Sequence, residues 1–150
     1  VPRVTYMGDP YSCAFSGKAL TFFSSRNLAS PELLEQRTIE ERIDSVFYSD
    51  EYAAAIVRNT NGEYGTRLEV YKKDGTHVLS KEFNFEYTHA DFDGDLIILY
   101  NEDSCRIYNM SGTEKFDATF DFPVSRIRKG RFPGTLVVTG PQQMRELKLH

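Results

Sequence analysis

The chain has 150 residues, 40% hydrophobic and 27% charged, with a formal net charge of −4. That length suits one domain with a sizeable core, and the negative balance disfavours a nucleic-acid backbone as partner. No apolar run of about 18 residues is present, so nothing reads as a membrane-spanning helix, and no signal peptide is visible.

Taken in order, Arg3–Met7 alternates as a lone strand ahead of the turn Gly8-Asp9-Pro10. Tyr11–Ser16 and Lys18–Ser24 read as two strands joined at Gly17. Ser30-Pro31-Glu32 then combines an N-cap residue, a proline suited to the first helical position and an acidic first turn. This predicts one short helix near 31–36, with Thr38–Ile43 returning as an outer strand. Between Asp44 and Phe85, Asn61-Gly62 is a strong hairpin signal, which predicts a protruding two-strand loop over Asn59–Gly65. Loops of this kind on a rigid sheet often carry binding residues.

Glu86–Phe122 reads as four strands: Tyr87–Asp93, Leu96–Tyr100, Cys105–Tyr108 and Lys115–Phe122. Leu96–Tyr100 is a short, continuous apolar run, as in a strand buried on both faces. The fourth strand alternates, placing Phe116, Ala118, Phe120 and Phe122 on one face. Val124–Arg131, Thr135–Thr139 and Met144–Leu149 give three strands more.

Two signatures recur. Phe-x-Gly before an apolar run occurs at Phe92-Asp93-Gly94, Phe15-Ser16-Gly17 and Phe132-Pro133-Gly134, with a degenerate copy at Tyr48-Ser49-Asp50. Val70-Tyr71-Lys72-Lys73-Asp74-Gly75 matches Ile107-Tyr108-Asn109-Met110-Ser111-Gly112. Two signatures in the same order at a period of roughly 40 residues predict propeller blades. The expectation is an all-β, propeller-like array of about four four-stranded antiparallel blades in one domain, 1–150. The repeats fall near 11–43, 44–85, 86–122 and 123–150. Residues 3–7 are expected to complete the last blade, which lacks a fourth strand. An antiparallel sandwich would explain the strand spacing but not the matched signatures.

The motifs that carry chemistry are sparse. Asp91, Asp93 and Asp95, with Glu102 at the twelfth position, resemble a calcium loop, but the glycine falls fourth where that loop needs it sixth. They read as turn formers. His77, His89 and His150 are isolated and share no zinc spacing; His89 lies near Asp91 and reads as an exposed or hydrogen-bonded side chain. No Gly-x-Ser-x-Gly, phosphate loop or dinucleotide fingerprint occurs. Glu40-Glu41 and Glu102-Asp103 supply carboxylates without defining a glycosidase pair. Arg126, Arg128, Lys129 and Arg131 read as a solvated strand face. Cys13 and Cys105 fall in different repeats and read as two buried thiols. Asn109-Met110-Ser111 fits a glycosylation sequon, and Tyr48, Tyr52, Tyr64 and Tyr87 are candidates for an exposed recognition face. No catalytic residue, cofactor-binding residue or metal ligand is assigned, and no cofactor is expected.

The repeats resemble the WD40-like and quinoprotein-like propeller superfamily, without its Gly-His and Trp-Asp dipeptides. SDEYAAAIVR, LEVYKKDGTHV and GDLIILYNEDSCRIYNMSGTEKF are more specifically similar to an uncharacterised family from Gram-positive bacteria, over about Phe47 to Leu149. That resemblance implies an extracytoplasmic, membrane-tethered binding domain, the tether lying in a segment absent from this chain. The chain opens on Val1-Pro2, is short for that family, and reads as part of a longer propeller or as half of one completed by a second copy. The expected function is a non-enzymatic binding or scaffolding module recognising a protein or surface ligand at the bacterial cell envelope. The alternative is a carbohydrate-active hydrolase or lyase using carboxylates on the propeller axis.

Overall fold

A computed structural model describes residues 3–7, 10–16, 18–24, 26, 32–58 and 64–149, with the backbone alone for 3–6. Its strands form four antiparallel sheets. β1 (Arg3–Tyr6), β2 (Tyr11–Ser16), β3 (Ala19–Ser24) and β4 (Glu32–Thr38) make sheet 1. β5 (Ile43–Tyr48), β6 (Tyr52–Arg58), β7 (Thr66–Lys72) and β8 (His77–Phe83) make sheet 2. β9 (His89–Asp93), β10 (Leu96–Tyr100), β11 (Ser104–Asn109) and β12 (Glu114–Thr119) make sheet 3. β13 (Arg126–Lys129), β14 (Thr135–Thr139) and β15 (Met144–Lys148) make sheet 4. In every sheet the strands lie in chain order, each hairpin pairing with the next.

The chain divides into two compact units, Val1–Asn84 and Phe85–His150. In the first, Met7, Cys13, Leu20 and Phe22 of sheet 1 pack against Ala53, Ala55, Val57 and Tyr71 of sheet 2. In the second, Ile98, Tyr100, Cys105 and Ile107 of sheet 3 pack against Ile127, Leu136 and Val138 of sheet 4. Burying one such aliphatic side chain contributes about 1.5–3 kcal/mol, so these facing sheets are each other's main source of stability. The second strands are buried on both faces: Ala54 and Ile56 oppose the first core, and Ile97 and Leu99 oppose the second, all at 0% exposure. Phe116, Ala118, Phe120 and Phe122 do share one core, but the strand expected over Lys115–Phe122 ends at Thr119, so Phe120 and Phe122 reach that core from the segment beyond β12.

The matched turn signature is a matched structure. In one turn Gly75 N–H donates to Lys72 C=O (2.9 Å) and Lys72 N–H to Thr76 C=O (2.8 Å). In the other Gly112 N–H donates to Asn109 C=O and Asn109 N–H to Thr113 C=O, both 3.0 Å. Gly75 (φ 91°) and Gly112 (φ 82°) hold the left-handed position that ends such a turn, and a register shift precedes each.

Four expectations need correction. Glu32–Thr38 is a strand, not part of a helix near 31–36: it pairs with β3 from Ser24↔Glu32 to Ala19↔Thr38. Helix-start signals are worth about 1 kcal/mol, and a two-turn helix is marginal alone. Strand pairing supplies a row of hydrogen bonds and sets Leu34 against the core. Ser30 and Pro31 lie outside the described residues, as do Asn61 and Gly62.

The outer strand of sheet 1 is therefore Glu32–Thr38 rather than Thr38–Ile43. Arg3–Tyr6 does not complete the last sheet; it pairs with β2, from Arg3↔Phe15 to Tyr6↔Ser12. The first repeat thus begins at β1, and the Phe15-Ser16-Gly17 motif joins second and third strands while Phe92-Asp93-Gly94 joins first and second. A glycine before an apolar run marks a hairpin and carries no strand number. Lastly, the degenerate copy Tyr48-Ser49-Asp50 does not match the others in conformation: Gly94 and Gly134 have positive φ, and no described non-glycine residue does. Ser49 shapes that turn, its Oγ accepting from Glu51 N–H (3.3 Å) and Tyr52 N–H (3.2 Å).

Candidate functional site

Three polar groupings stand out, and each is built by strand alternation. The first lies within residues 3–84. Arg67, Glu69 and Tyr71 alternate along β7 on the face that also carries Ala53, Ala55 and Val57. Glu69 is 8% exposed, and both of its carboxylate oxygens are engaged. Oε1 accepts from Arg67 Nε (2.7 Å) and Ser80 Oγ (2.5 Å), and Oε2 lies 2.9 Å from His77 Nε2. Arg67 Nη1 also donates to Glu41 Oε1 at 2.9 Å, a bond that holds the Glu41 carboxyl below its ordinary value. Ser80 bonds to the carboxylate instead of the imidazole, so this is no nucleophile–base relay. It is a satisfied network that ties sheet 2 together.

The second joins two motifs that the sequence presents as unrelated. Asp91 and Asp93 lie on β9, and Arg126 and Lys129 on β13. Burial pushes the Asp93 carboxyl up, the Lys129 charge opposes this, Asp91 adds to it, and a bond to the Lys129 backbone lowers it. Burial likewise raises the Tyr100 hydroxyl, with Asp91 raising and Arg126 lowering it. His89 stacks on Tyr100 (4.9 Å between centroids, 11° between planes). Gly94 turns the β9–β10 hairpin at φ 58° while Asp95 stays exposed in that turn. Asp93 therefore answers the Lys129 charge and backbone, Asp91 accepts from Phe92 N–H, and no group of metal-ligating side chains forms among the described residues.

The third is open to solvent. The β10–β11 turn, the 120–125 segment and the β14–β15 turn lie together. Phe120 N–H donates to Asp103 C=O, Val124 N–H to Glu102 C=O, and Ser125 N–H to Thr139 C=O, each at 2.7 Å. Gly140 N–H closes the last turn onto Gln143 C=O at 2.8 Å. A Cβ on Gly140 would stand 2.5 Å from Pro123 O and 2.8 Å from the Phe122 ring, so only glycine permits this approach. Two clefts flank the Phe122–Pro123 ridge. One, about 280 Å³, is lined by Phe122, Pro123, Gly140, Pro141, Gln142 and Gln143. The other, about 310 Å³, is lined by Glu102, Asp103, Phe120, Asp121, Phe122 and Pro123. Phe120 and Phe122 are buried beneath them, and Glu102, Asp103 and Asp121 are exposed. Arg145 lies over the Phe122 ring (5.3 Å to the centroid) with Nη2 3.2 Å from Asp121 Oδ1.

The other sequence candidates are dispersed. Tyr48 and Tyr64 are exposed, Tyr52 and Tyr87 half-buried. Asn109 of the sequon is a turn former: its Oδ1 accepts from Ser111 N–H, Ser111 Oγ and Thr113 N–H. Cys13 and Cys105 are free and buried. His150 lies outside the described residues. Sequence reading singled out Glu102-Asp103 but missed Glu69 and the cleft. A lone carboxylate inside Leu68-Glu69-Val70 was the available signal for Glu69. Pro123 and Pro141-Gln142-Gln143, prolines bounding the strands of a single sheet, were the signal for the cleft.

In sheet order and hairpin connection the chain is a propeller-type, all-β protein. The computationally designed Ika4 protein is similar with a TM-score of 0.61 at 8% identity, over 99% of this chain and 92% of that one. BamB from Moraxella catarrhalis is similar with a TM-score of 0.64 at 16% identity, over 97% of this chain and 45% of that one. HIRA(644-1017) gives 0.63 at 10% identity, over 93% and 47%. The chain thus spans less than half the length of BamB and of the HIRA fragment. At these identities the likeness shows the fold alone. No curated protein matches in sequence. Residues 1–149 match the family of unknown function DUF5711, and the chain belongs to that family.

Proposed function

We propose that the chain is a non-enzymatic binding module of the bacterial cell envelope whose partner is a polypeptide seated beside the Phe122–Pro123 ridge. The paired clefts carry this reading, because they lie on loops fixed by backbone hydrogen bonds and offer an aromatic and proline floor with polar rims. The other polar groupings favour structure over chemistry. Glu69 spends its lone pairs on Arg67, Ser80 and His77, and Asp93 answers the Lys129 backbone. The envelope placement rests on the resemblance of the repeat segments to membrane-tethered Gram-positive proteins.

A photo-crosslinking residue at Gln142 should trap a discrete polypeptide in cells, with excess unlabelled protein competing. The same residue at exposed Lys72 should not trap it. Equal background at both positions would remove the cleft as the binding site. Release of reducing ends from cell-wall polysaccharide by the purified protein would overturn the non-enzymatic reading.

A further inference from the structure

We infer that the partner segment is cationic and extended, placing an apolar side chain in the Pro123–Pro141 cleft and an arginine or lysine in the neighbouring cleft. This rests on the reading of these clefts as the binding site. The two clefts share Phe122 and Pro123, so one continuous segment reaches both. Their rims differ. The first offers Pro141, Gln142 and Gln143, apolar surface with side-chain amides that match a peptide backbone. The second offers Glu102, Asp103 and Asp121 above an aromatic floor. An arginine or lysine suits both features at once, since its aliphatic stem covers apolar surface while its charged head meets carboxylates.

The protein already displays that geometry. Arg145 sits over Phe122 and pairs with Asp121, whose side chain remains 81% exposed. Asp121 thus has an internal cation, while Asp103 Oδ1 accepts only from the neutral Ser104 hydroxyl at 2.7 Å, which leaves Glu102 and Asp103, among the described residues, without a cation of their own for an incoming one. Their backbone carbonyls are taken by Val124 and Phe120, which fixes the turn that bears them. A rigid rim lowers the ordering cost of binding.

The test uses fluorescein-labelled repeats of Arg-Pro, Gln-Pro and Glu-Pro, because alternate prolines hold each probe extended. Fluorescence anisotropy should rank Arg-Pro above Gln-Pro by about tenfold, with Glu-Pro weakest. Raising salt from about 0.05 M to about 0.5 M should erase most of the difference, as screening shortens. The double variant Glu102→Gln/Asp103→Asn should weaken Arg-Pro binding about tenfold and leave Gln-Pro unchanged. Arg145→Gln removes the internal competitor and should tighten Arg-Pro binding severalfold, which a merely structural role for Arg145 would not do. Equal affinity for Arg-Pro and Gln-Pro would overturn the cationic assignment while leaving the clefts as a peptide site. Failure of all three probes to bind the folded protein would remove the site itself.

Discussion

Gly75 shows how closely backbone conformation and packing are joined at one position. Its φ of 91° already disfavours any side chain, and a Cβ there would collide with Glu35 Cβ and press on the Phe22 ring. Its carbonyl also accepts from Arg37 Nε at 3.0 Å, so a shift of the turn loses that bond too. Gly94 has φ 58° and open space around it. Gly75→Ala should therefore cost about 3 kcal/mol, against about 1–2 kcal/mol for Gly94→Ala, as measured by urea denaturation. The cysteines give a second expectation. Burial pushes the Cys13 thiol up to about 11 and the Cys105 thiol up to about 12. A thiol reagent at pH 8 should label neither in the native protein and both in denaturant. Glu41 gives a third. Its bond to Arg67 depresses its carboxyl below the ordinary 4.5, so the stabilisation is present above that value and lost as pH falls through the lower folded value. Glu41→Gln should lower stability slightly at pH 7, by no more than about 1 kcal/mol for a half-buried pair open to solvent screening, and the gap should close as pH falls through the depressed folded value.

The strands show where sequence reading succeeds and where physics outside the local window decides. Leu96–Tyr100 was legible because a short apolar run has few alternatives to a strand buried on both faces. The turns at Gly75 and Gly112 were legible because their glycines serve a conformation that other residues resist. β4 was not, since Ser30-Pro31-Glu32 carries true helix-start chemistry and only the waiting edge of β3 overrides it. The partner of β1 was not, because an alternating four-residue strand fits any open edge; contact with β2, the next segment in the chain, costs the least loop closure. The cleft escaped notice for a related reason. Phe122, Pro123 and Pro141 gain meaning only when residues on separate loops meet. Gly140→Ala bears on that meeting: it should force Phe122 and Pro123 apart from the turn and weaken probe binding, with little loss of strand amide protection by hydrogen exchange.

Across the chain, stability comes from sheet facing sheet within each unit. Leu20 lies in the core of sheets 1 and 2, and Leu136 in that of sheets 3 and 4, each essentially inaccessible. Each leucine-to-alanine change should cost about 2–5 kcal/mol. The described residues of the two cores do not overlap, so the double variant should equal the sum within about 0.5 kcal/mol in urea denaturation. A larger coupling would show that the two cores respond as one.

The twin corners at 72–76 and 109–113 carry a practical lesson about interchangeability. They hold the same pair of hydrogen bonds with Lys-Lys-Asp-Gly-Thr in one case and Asn-Met-Ser-Gly-Thr in the other. The three identities that differ could be traded as a cassette without asking the strands to move, and Arg37 would keep its acceptor because that acceptor is main chain. Such corners let a repeat array acquire new surface chemistry one hairpin at a time, while the buried lattice beneath is left untouched.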